Sequence, residues 1–218
     1  MTQKPLRRPR LPDLAASLWL LLALCLLPEL VLSGADLGLW GAPSWRGIAY
    51  AWAGFWPGLL HDWAPNYPGQ VWVMFVTYGF LHAGIVHLLV NMMSLVSLGR
   101  AVTDRVGQGG FWGIYGLALL GGGLGFGLLS QAPNPMVGAS GALFGLAGAL
   151  ILWGFVDRYR AGQGLWPIGR ALLWLVALNL ILWAATGGRL AWQTHLGGFL
   201  AGAVAAAGVE AWQDRRAG

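Results

Sequence analysis

Residues 106–156, VGQGGFWGIYGLALLGGGLGFGLLSQAPNPMVGASGALFGLAGALILWGFV, form a run of 51 positions without Asp, Glu, Lys or Arg. A helix needs about 20 apolar residues to cross the hydrocarbon core of a bilayer, so this run is long enough for two crossings. The turn-forming segment QAPNP at residues 131–135 divides it. The stretch therefore predicts two transmembrane helices, at about residues 110–130 and 139–156.

The composition of the whole chain points to the same class of protein. Only 10% of the 218 residues are charged, whereas soluble domains average about 25%. Hydrophobic residues make up 57%, and the 14 Trp residues are typical of side chains that anchor helices at a membrane interface. These figures exclude a soluble globule, a disordered chain and a collagen-like repeat. The single cysteine, Cys25, excludes an intrachain disulfide.

Charge-free stretches elsewhere complete a set of six predicted spans. They lie at about residues 14–34, 82–99, 110–130, 139–156, 171–188 and 190–209. The expected fold class is an all-α integral membrane protein, with a membrane domain over residues 14–212. A cytoplasmic N-terminal tail (1–13) and C-terminal tail (213–218) are expected to flank it. No convincing small-residue cleavage site closes the first apolar run, so that run is expected to be a retained helix.

The Lys and Arg residues are distributed unevenly around these spans. With a cytoplasmic N-terminus, the cytoplasmic segments hold 11 of the 13, and the outer side holds only Arg46 and Arg189. Because cytoplasmic loops carry an excess of basic residues, both termini are predicted to be cytoplasmic. The same distribution accounts for the net charge of +5 without a nucleic-acid partner.

The connection between the first two spans, about residues 35–81, is long and apolar. It is too apolar for a solvated loop and too interrupted by Gly and Pro for a spanning helix, which favours short helices lying in the outer interface. Two interpretations stay open, a covering structure and a platform that shapes access to the core. Its tryptophans are Trp40, Trp45, Trp52, Trp56, Trp63 and Trp72.

Among the polar residues inside the spans, four are candidates for chemistry, because such groups are costly in hydrocarbon unless they have a partner, a watery cavity or a chemical role. His87 and Asn91 are four residues apart and therefore share one face of the second span. Ser140 opens the fourth span and His195 opens the sixth. The second, fourth and sixth spans all run from outside to inside, so the four residues are expected at similar depth below the outer surface.

Each of these residues alone has a structural explanation, since small residues favour helix packing and His or Asn can join helices by hydrogen bonds. Together they favour acyl transfer. A serine nucleophile needs a base such as neutral His, and a helix N-terminus favours a developing oxyanion. No acidic residue lies nearby in the fourth or sixth span. A Ser140–His195 dyad is therefore predicted, with the base oriented by packing or by a neutral hydrogen bond.

A metal or another cofactor is not expected. The three His residues in the spans, His82, His87 and His195, have no Asp, Glu or Cys nearby and make a poor ligand set for a metal ion.

The same residues lie in three motifs that resemble those of the rhomboid family of intramembrane serine proteases. FLHAGIVHLLVN (80–91) is similar to the family's H-x₄-H-x₃-N pattern, GASGALFG (138–145) to its G-x-S-G motif, and HLGGFLAG (195–202) to its H-x-x-G-x-x-x-G motif. The resemblance covers about residues 77–205. It implies a six-helix rhomboid-like bundle with a long interfacial loop between the first two helices.

The resemblance also implies a role for each motif residue. Ser140 is implied as the nucleophile and His195 as its base, while His87, Asn91 and the Ser140 backbone are implied to form the oxyanion hole. His82 is implied to be structural or to hold water. The other supporting residues are Gly138, Gly141, Phe144, Gly198 and Gly202, and the last two would let the sixth helix press against the fourth.

The chain departs from the family pattern at two places. The family often has Trp-Arg about nine residues before the position of His82, where Val73 and Met74 stand here, and Trp45-Arg46 lies too far away to be the same element. The family also often has a Tyr where this chain has Phe144. An aromatic face at Phe144 is still expected to stack on His195.

The expected function is that of a cofactor-free intramembrane serine endopeptidase that cleaves membrane-protein substrates in or near their transmembrane segments. It is expected in a bacterial-type plasma membrane, the inner membrane, with the active site open to the outer side. Its partners would be transmembrane protein substrates and the lipid bilayer; the oligomeric state is left open. One alternative is a catalytically inactive rhomboid relative that binds membrane proteins or serves quality control. A small transporter is the other, although Glu29 is the only acidic residue inside a span.

Overall fold

The structure, a computed structural model, describes residues 14–217; the predicted tail at residues 1–13 and Gly218 lie outside this range. Over the described residues the chain is all-α, apart from an isolated β-bridge between Phe55 and Met136. The α-helices, in chain order, are α1 (Ala16–Asp36), α2 (Ser44–Ala53), α3 (Gln70–Thr77), α4 (Ile85–Leu129), α5 (Ser140–Arg160), α6 (Trp166–Ala185) and α7 (Trp192–Ala217).

Helix α4 consists of two helices that meet at a break. Gly107 has φ 71° and ψ 177°, a conformation open to glycine and unfavourable for other residues. The halves, residues 85–106 and 108–129, are each about 33 Å long at 1.5 Å per residue, enough to cross hydrocarbon.

Four of the described helices, α1, α4, α5 and α6, are long and apolar enough to cross a membrane. The predicted all-α membrane fold is therefore confirmed. The count of six spans stays a prediction. It is compatible with the structure, because the break at Gly107 divides α4 into two helices and α7, with 26 residues, is long enough to be the sixth span.

Helices α5 and α7 are in backbone contact at the centre of the bundle. A Cβ atom on Gly198 would collide with the carbonyl oxygen of Gly141, and one on Gly202 would collide with that of Gly145. Only glycine at these two positions of α7 permits such an approach. This contact fixes the depth of the first turn of α7 relative to the first turn of α5.

Helix α6 lies at the edge of the bundle. It contains no buried residue, and large apolar side chains such as Leu173, Trp174 and Ile181 are more than half exposed. Such a surface suits hydrocarbon, because an apolar helix face needs either protein or lipid against it. Its N-terminal turn contains Pro167, and Gly187 and Gly188, both with positive φ, follow its C-terminal end.

The segment between α1 and α4 contains α2, α3 and the short 3₁₀ turns Pro57–Leu60 and Tyr78–Phe80. Arg46 of α2 attaches it to α1: its two terminal nitrogens lie 2.9 and 2.8 Å from the carboxylate oxygens of the fully buried Glu29. Its Nε lies 2.6 Å from Asp36. Chiefly through the hydrogen bond to Glu29, the pKa of the Arg46 guanidinium is raised above its ordinary value. The buried charge of Glu29 is thereby compensated.

Candidate active site

The side chains of Ser140 and His195 meet at the N-terminal ends of α5 and α7. Ser140 is the first residue of α5 and His195 lies in the first turn of α7. The Ser140 Oγ atom lies 2.9 Å from His195 Nε2, within hydrogen-bond distance. His195 is only 4% exposed, so this contact is shielded from water. A hydroxyl hydrogen-bonded to an imidazole can be activated as a nucleophile.

The ring of Phe144 covers one face of the His195 imidazole. Phe144 lies one turn along α5 from Ser140 and therefore on the same helix face. Its ring is parallel to the imidazole within 5°, and the ring centroids are 4.2 Å apart. The contact restricts the plane of the imidazole without using either ring nitrogen.

A further polar contact to His195 comes from Asn179 of α6. Its Oδ1 atom lies 2.6 Å from His195 Nδ1. Asn179 is not among the site residues predicted from the sequence, although the sequence contains a signal for it. Asn179 is the only Asn, Gln, His, Asp, Glu, Lys or Arg in the predicted span 171–188. A polar side chain inside a span is costly unless it has a partner or a role, and this reason for choosing His87 and Asn91 applies equally to Asn179.

His87 and Asn91 of α4 lie beside the loop that leads into Ser140. Gly138, in that loop, has φ +129°, and a Cβ atom there would come 2.7 Å from His87 Cε1 and 3.6 Å from Asn91 Nδ2. A side chain at position 138 would therefore fill the space that faces both residues. Glycine at position 138, two residues before Ser140, keeps this space open.

Both α4 side chains have a hydrogen-bond donor available on this side. The His87 Nδ1 atom accepts the Ala83 N–H at 3.3 Å, so in the neutral ring the proton sits on Nε2. The buried Nδ2 atom of Asn91 has no hydrogen-bond partner among the described residues. The N–H groups of the first turn of α5 are also free of intrahelical partners, as at any helix start. Several donors therefore surround the approach to Ser140.

His82 lies behind His87 and apart from the Ser140–His195 contact. It is fully buried, and its ring meets the His87 ring edge-on at a centroid distance of 5.2 Å. Its backbone carbonyl accepts hydrogen bonds from Arg46 at 2.9 Å and from the Tyr50 hydroxyl at 2.7 Å. His82 thus connects the side chains of Arg46 and Tyr50, which bond its carbonyl, to the ring of His87.

The supporting glycine next to the serine is tightly enclosed. A Cβ atom on Gly141 would come 2.6 Å from the Oγ1 atom of Thr194, the residue that precedes His195.

Within residues 14–217, no cluster of three or more His, Cys, Asp or Glu side chains has a metal-binding arrangement.

The fold and this site define a membrane-embedded protein with a hydrogen-bonded serine–histidine pair at the N-terminal ends of two of its helices. A family model described as "Rhomboid domain" matches residues 68–211. The chain belongs to the rhomboid family.

Several curated proteins are similar to this chain. Rhomboid protease GluP of Bacillus subtilis is 35% identical over 136 residues, which are 62% of this chain and 26% of that protein. RHOMBOID-like protein 5 of Arabidopsis thaliana is 34% identical over 135 residues, 62% of this chain and 42% of that protein. Rhomboid-type serine protease 2 of Emericella nidulans is 31% identical over 138 residues, 60% of this chain and 25% of that protein. The chain thus matches less than half the length of each of these relatives.

Proposed function

We propose that this chain is an intramembrane serine endopeptidase that hydrolyses peptide bonds in or near the transmembrane segments of membrane-protein substrates. The observation that carries the proposal is the 2.9 Å contact between Ser140 Oγ and His195 Nε2. Membership of the rhomboid family supports it, as do two similar proteins that are named proteases.

The two alternative functions have less support. A catalytically inactive relative would have no use for a hydrogen-bonded nucleophile and base, and both are present here. A transporter would need an acidic residue able to exchange protons or ions within the spans. Glu29 is instead held by both terminal nitrogens of Arg46.

The first chemical step is the attack of the Ser140 oxygen on the carbonyl carbon of the scissile peptide bond. His195 Nε2 takes the hydroxyl proton as the new C–O bond forms, so the nucleophile never carries a full negative charge. The product is a tetrahedral intermediate with a negative charge on the former carbonyl oxygen and an imidazolium at His195.

The tetrahedral oxyanion is stabilised by the donors that surround the serine. The Ser140 N–H, the Nε2–H of His87 and the Nδ2–H of Asn91 form the proposed oxyanion hole. The N-terminal end of the α5 dipole adds a favourable field. The buried Nδ2 atom of Asn91, which has no hydrogen-bond partner within residues 14–217, supports this assignment, since a buried donor without a partner is costly unless a ligand satisfies it.

The intermediate collapses when His195 gives its proton to the departing amine nitrogen, which breaks the C–N bond and leaves an acyl ester on Ser140. Water then attacks the ester carbon while His195 Nε2 accepts a water proton. That proton passes to Ser140 Oγ as the C–O bond breaks. The net reaction consumes one water and releases an amine and a carboxylic acid, without a cofactor.

The proposal includes six spans, both termini in the cytoplasm, and an active site near the outer surface of a bacterial inner membrane. Its support is the distribution of charge along the bundle. At the end opposite Ser140, Arg105 pairs with Asp157 at 2.7 Å and Arg160 pairs with Glu210 at 2.6 Å. Because basic residues favour the cytoplasmic side, the serine end is assigned to the outer side.

The test is cleavage of single-span substrate proteins by the purified chain in liposomes. The wild type should release two fragments by hydrolysis within or next to the span, and Ser140→Ala should release none. Ser94→Ala is a matched control, because it removes another serine hydroxyl from the bundle, one that donates to the Val90 carbonyl of its own helix at 2.9 Å. Equal cleavage by the wild type and Ser140→Ala would refute the proposal.

A further inference from the structure

We propose that Asn179 is a positioning residue that holds the His195 imidazole in the tautomer able to act as a base toward Ser140. This inference rests on the proposed function and identifies the neutral group that orients the base. The sequence left that group open, as either packing or a neutral hydrogen bond.

The orientation of the Asn179 amide follows from its two contacts. Its Nδ2 atom donates to the Leu175 carbonyl at 3.0 Å, and its Oδ1 atom lies 2.6 Å from His195 Nδ1. Exchanging the amide oxygen and nitrogen would point an oxygen at the Leu175 carbonyl oxygen, and neither atom could donate. The hydrogen-bond network therefore assigns Oδ1 to the side of His195.

This amide orientation determines the tautomer of His195. An amide oxygen only accepts hydrogen bonds, so His195 Nδ1 must carry the ring proton. A neutral imidazole has one ring proton, which leaves a lone pair on Nε2, and Nε2 lies 2.9 Å from Ser140 Oγ. The opposite tautomer would place two lone pairs against each other at the 2.6 Å contact.

Asn179 and Phe144 restrict different motions of the same ring. Stacking on Phe144 of α5 fixes the plane of the imidazole, while the hydrogen bond from α6 fixes its rotation within that plane. The base on α7 is thus held by side chains from two other helices. A neutral amide also avoids burying a carboxylate in a membrane protein, which is costly without a paired charge.

The test reads the tautomer directly, by nuclear magnetic resonance of the purified protein with ¹⁵N-labelled histidine at a pH where the rings are neutral. The chain has only four His residues, and the His195 signals are those lost in His195→Ala. The wild type should show a protonated Nδ1 and an unprotonated Nε2 at His195. A wild-type His195 protonated at Nε2 would overturn the inference.

Three variants separate positioning from a general effect on α6. Asn179→Leu removes the acceptor at similar volume and should give a mixture of tautomers, whereas Asn179→Asp keeps an oxygen acceptor and should keep the Nδ1–H form. Thr186→Val is the control, because Thr186 also bonds a carbonyl four residues earlier on α6, that of Leu182 at 2.8 Å. It should leave the His195 spectrum unchanged. Asn179→Ala replaces the leucine variant if that variant does not fold.

Turnover provides a second readout. Asn179→Leu should lower kcat about 10- to 100-fold with little change in KM, because the lost hydrogen bond is to a ring that is charged in the transition state. Unchanged kcat together with an unchanged tautomer in this variant would also overturn the inference. A wild type that shows the expected tautomer but cleaves nothing would refute the proposed function and leave the orientation of His195 by Asn179 standing.

Discussion

Ser140 and His195 are 55 residues apart in the chain, yet their side chains meet at 2.9 Å because the helices that bear them touch through their backbones. Three residues after His195, Gly198 lies so close to α5 that a Cβ atom on it would collide with the carbonyl oxygen of Gly141, the neighbour of Ser140. The hydrogen bond therefore depends on a contact that contains no side chain.

The backbone contact leads to the first prediction. Gly198→Ala should lower both stability and turnover, because the added methyl group collides with a backbone carbonyl and pushes α7 away from α5. Overpacking of this kind costs about 1–3 kcal/mol, which thermal unfolding in detergent would measure. Gly208→Ala is the matched control on the same helix, since a Cβ atom there meets nothing within 4 Å. Equal stability and activity of the two variants would contradict the proposed dependence.

The second prediction concerns the two donors on α4. Asn91→Ala and His87→Ala should each lower kcat more than they raise KM, because the oxyanion exists only near the transition state. Loss of one such donor in a soluble protease costs about 2.7–4 kcal/mol, and redundancy between donors would reduce this. Steady-state kinetics with Ser94→Ala as the control would measure it. If both variants folded and kept wild-type kcat, the oxyanion assignment would be wrong.

A third prediction concerns the ion pair between α1 and α2. Arg46→Ala should destabilise the protein by roughly 3–5 kcal/mol, because it leaves the buried Glu29 carboxylate without its partner. Asp36→Asn, which removes the more exposed carboxylate bound to the same guanidinium, should cost at most about 1 kcal/mol. Chemical or thermal unfolding of both variants would measure the difference. A similar loss of unfolding free energy in the two variants would show that the destabilisation of Arg46→Ala does not come from the burial of Glu29.

The fourth prediction is topological. Reporter fusions after Arg105 and after Arg160 should report the cytoplasm, and a fusion near Asn134 should report the outer side, because 11 of the 13 basic residues then face the cytoplasm. A cytoplasmic report at Asn134 would remove the assignment of the serine end to the outer side.

The sequence is sufficient to predict the all-α membrane class and the contact between Ser140 and His195. Long charge-free runs indicate membrane spans directly, because a helix that crosses the hydrocarbon core needs about 20 apolar residues. The predicted serine–histidine contact followed from helix direction, since α5 and α7 both begin at the same end of the bundle. The stacking of Phe144 on His195 is an expectation from the family resemblance, since the family often has an aromatic Tyr at this position.

The sequence was not sufficient to predict contacts made by side chains from distant segments. Asn179 reaches His195 only because α6 packs at one particular rotation, and a span that is apolar on every side carries no periodicity to reveal that rotation. Arg46 is 36 residues from His82 in the chain, yet folding brings its side chain to the His82 carbonyl. Spacing along the chain does not report such loop geometry.

Activation of Ser140 by His195 without a carboxylate can be tested by covalent labelling with a serine-directed fluorophosphonate, with the labelled residue located by mass spectrometry. The wild type in detergent should be labelled at Ser140, and the labelling should fade in His195→Ala. Variants in which one acidic residue is replaced should still be labelled at Ser140, provided that they fold. Ser140→Ala, His195→Ala and the double variant should share one residual cleavage rate, since loss of either member disables the other. Full cleavage by Ser140→Ala would contradict the role of Ser140 as the nucleophile, and a folded acidic-residue variant as inactive as Ser140→Ala would contradict activation without a carboxylate.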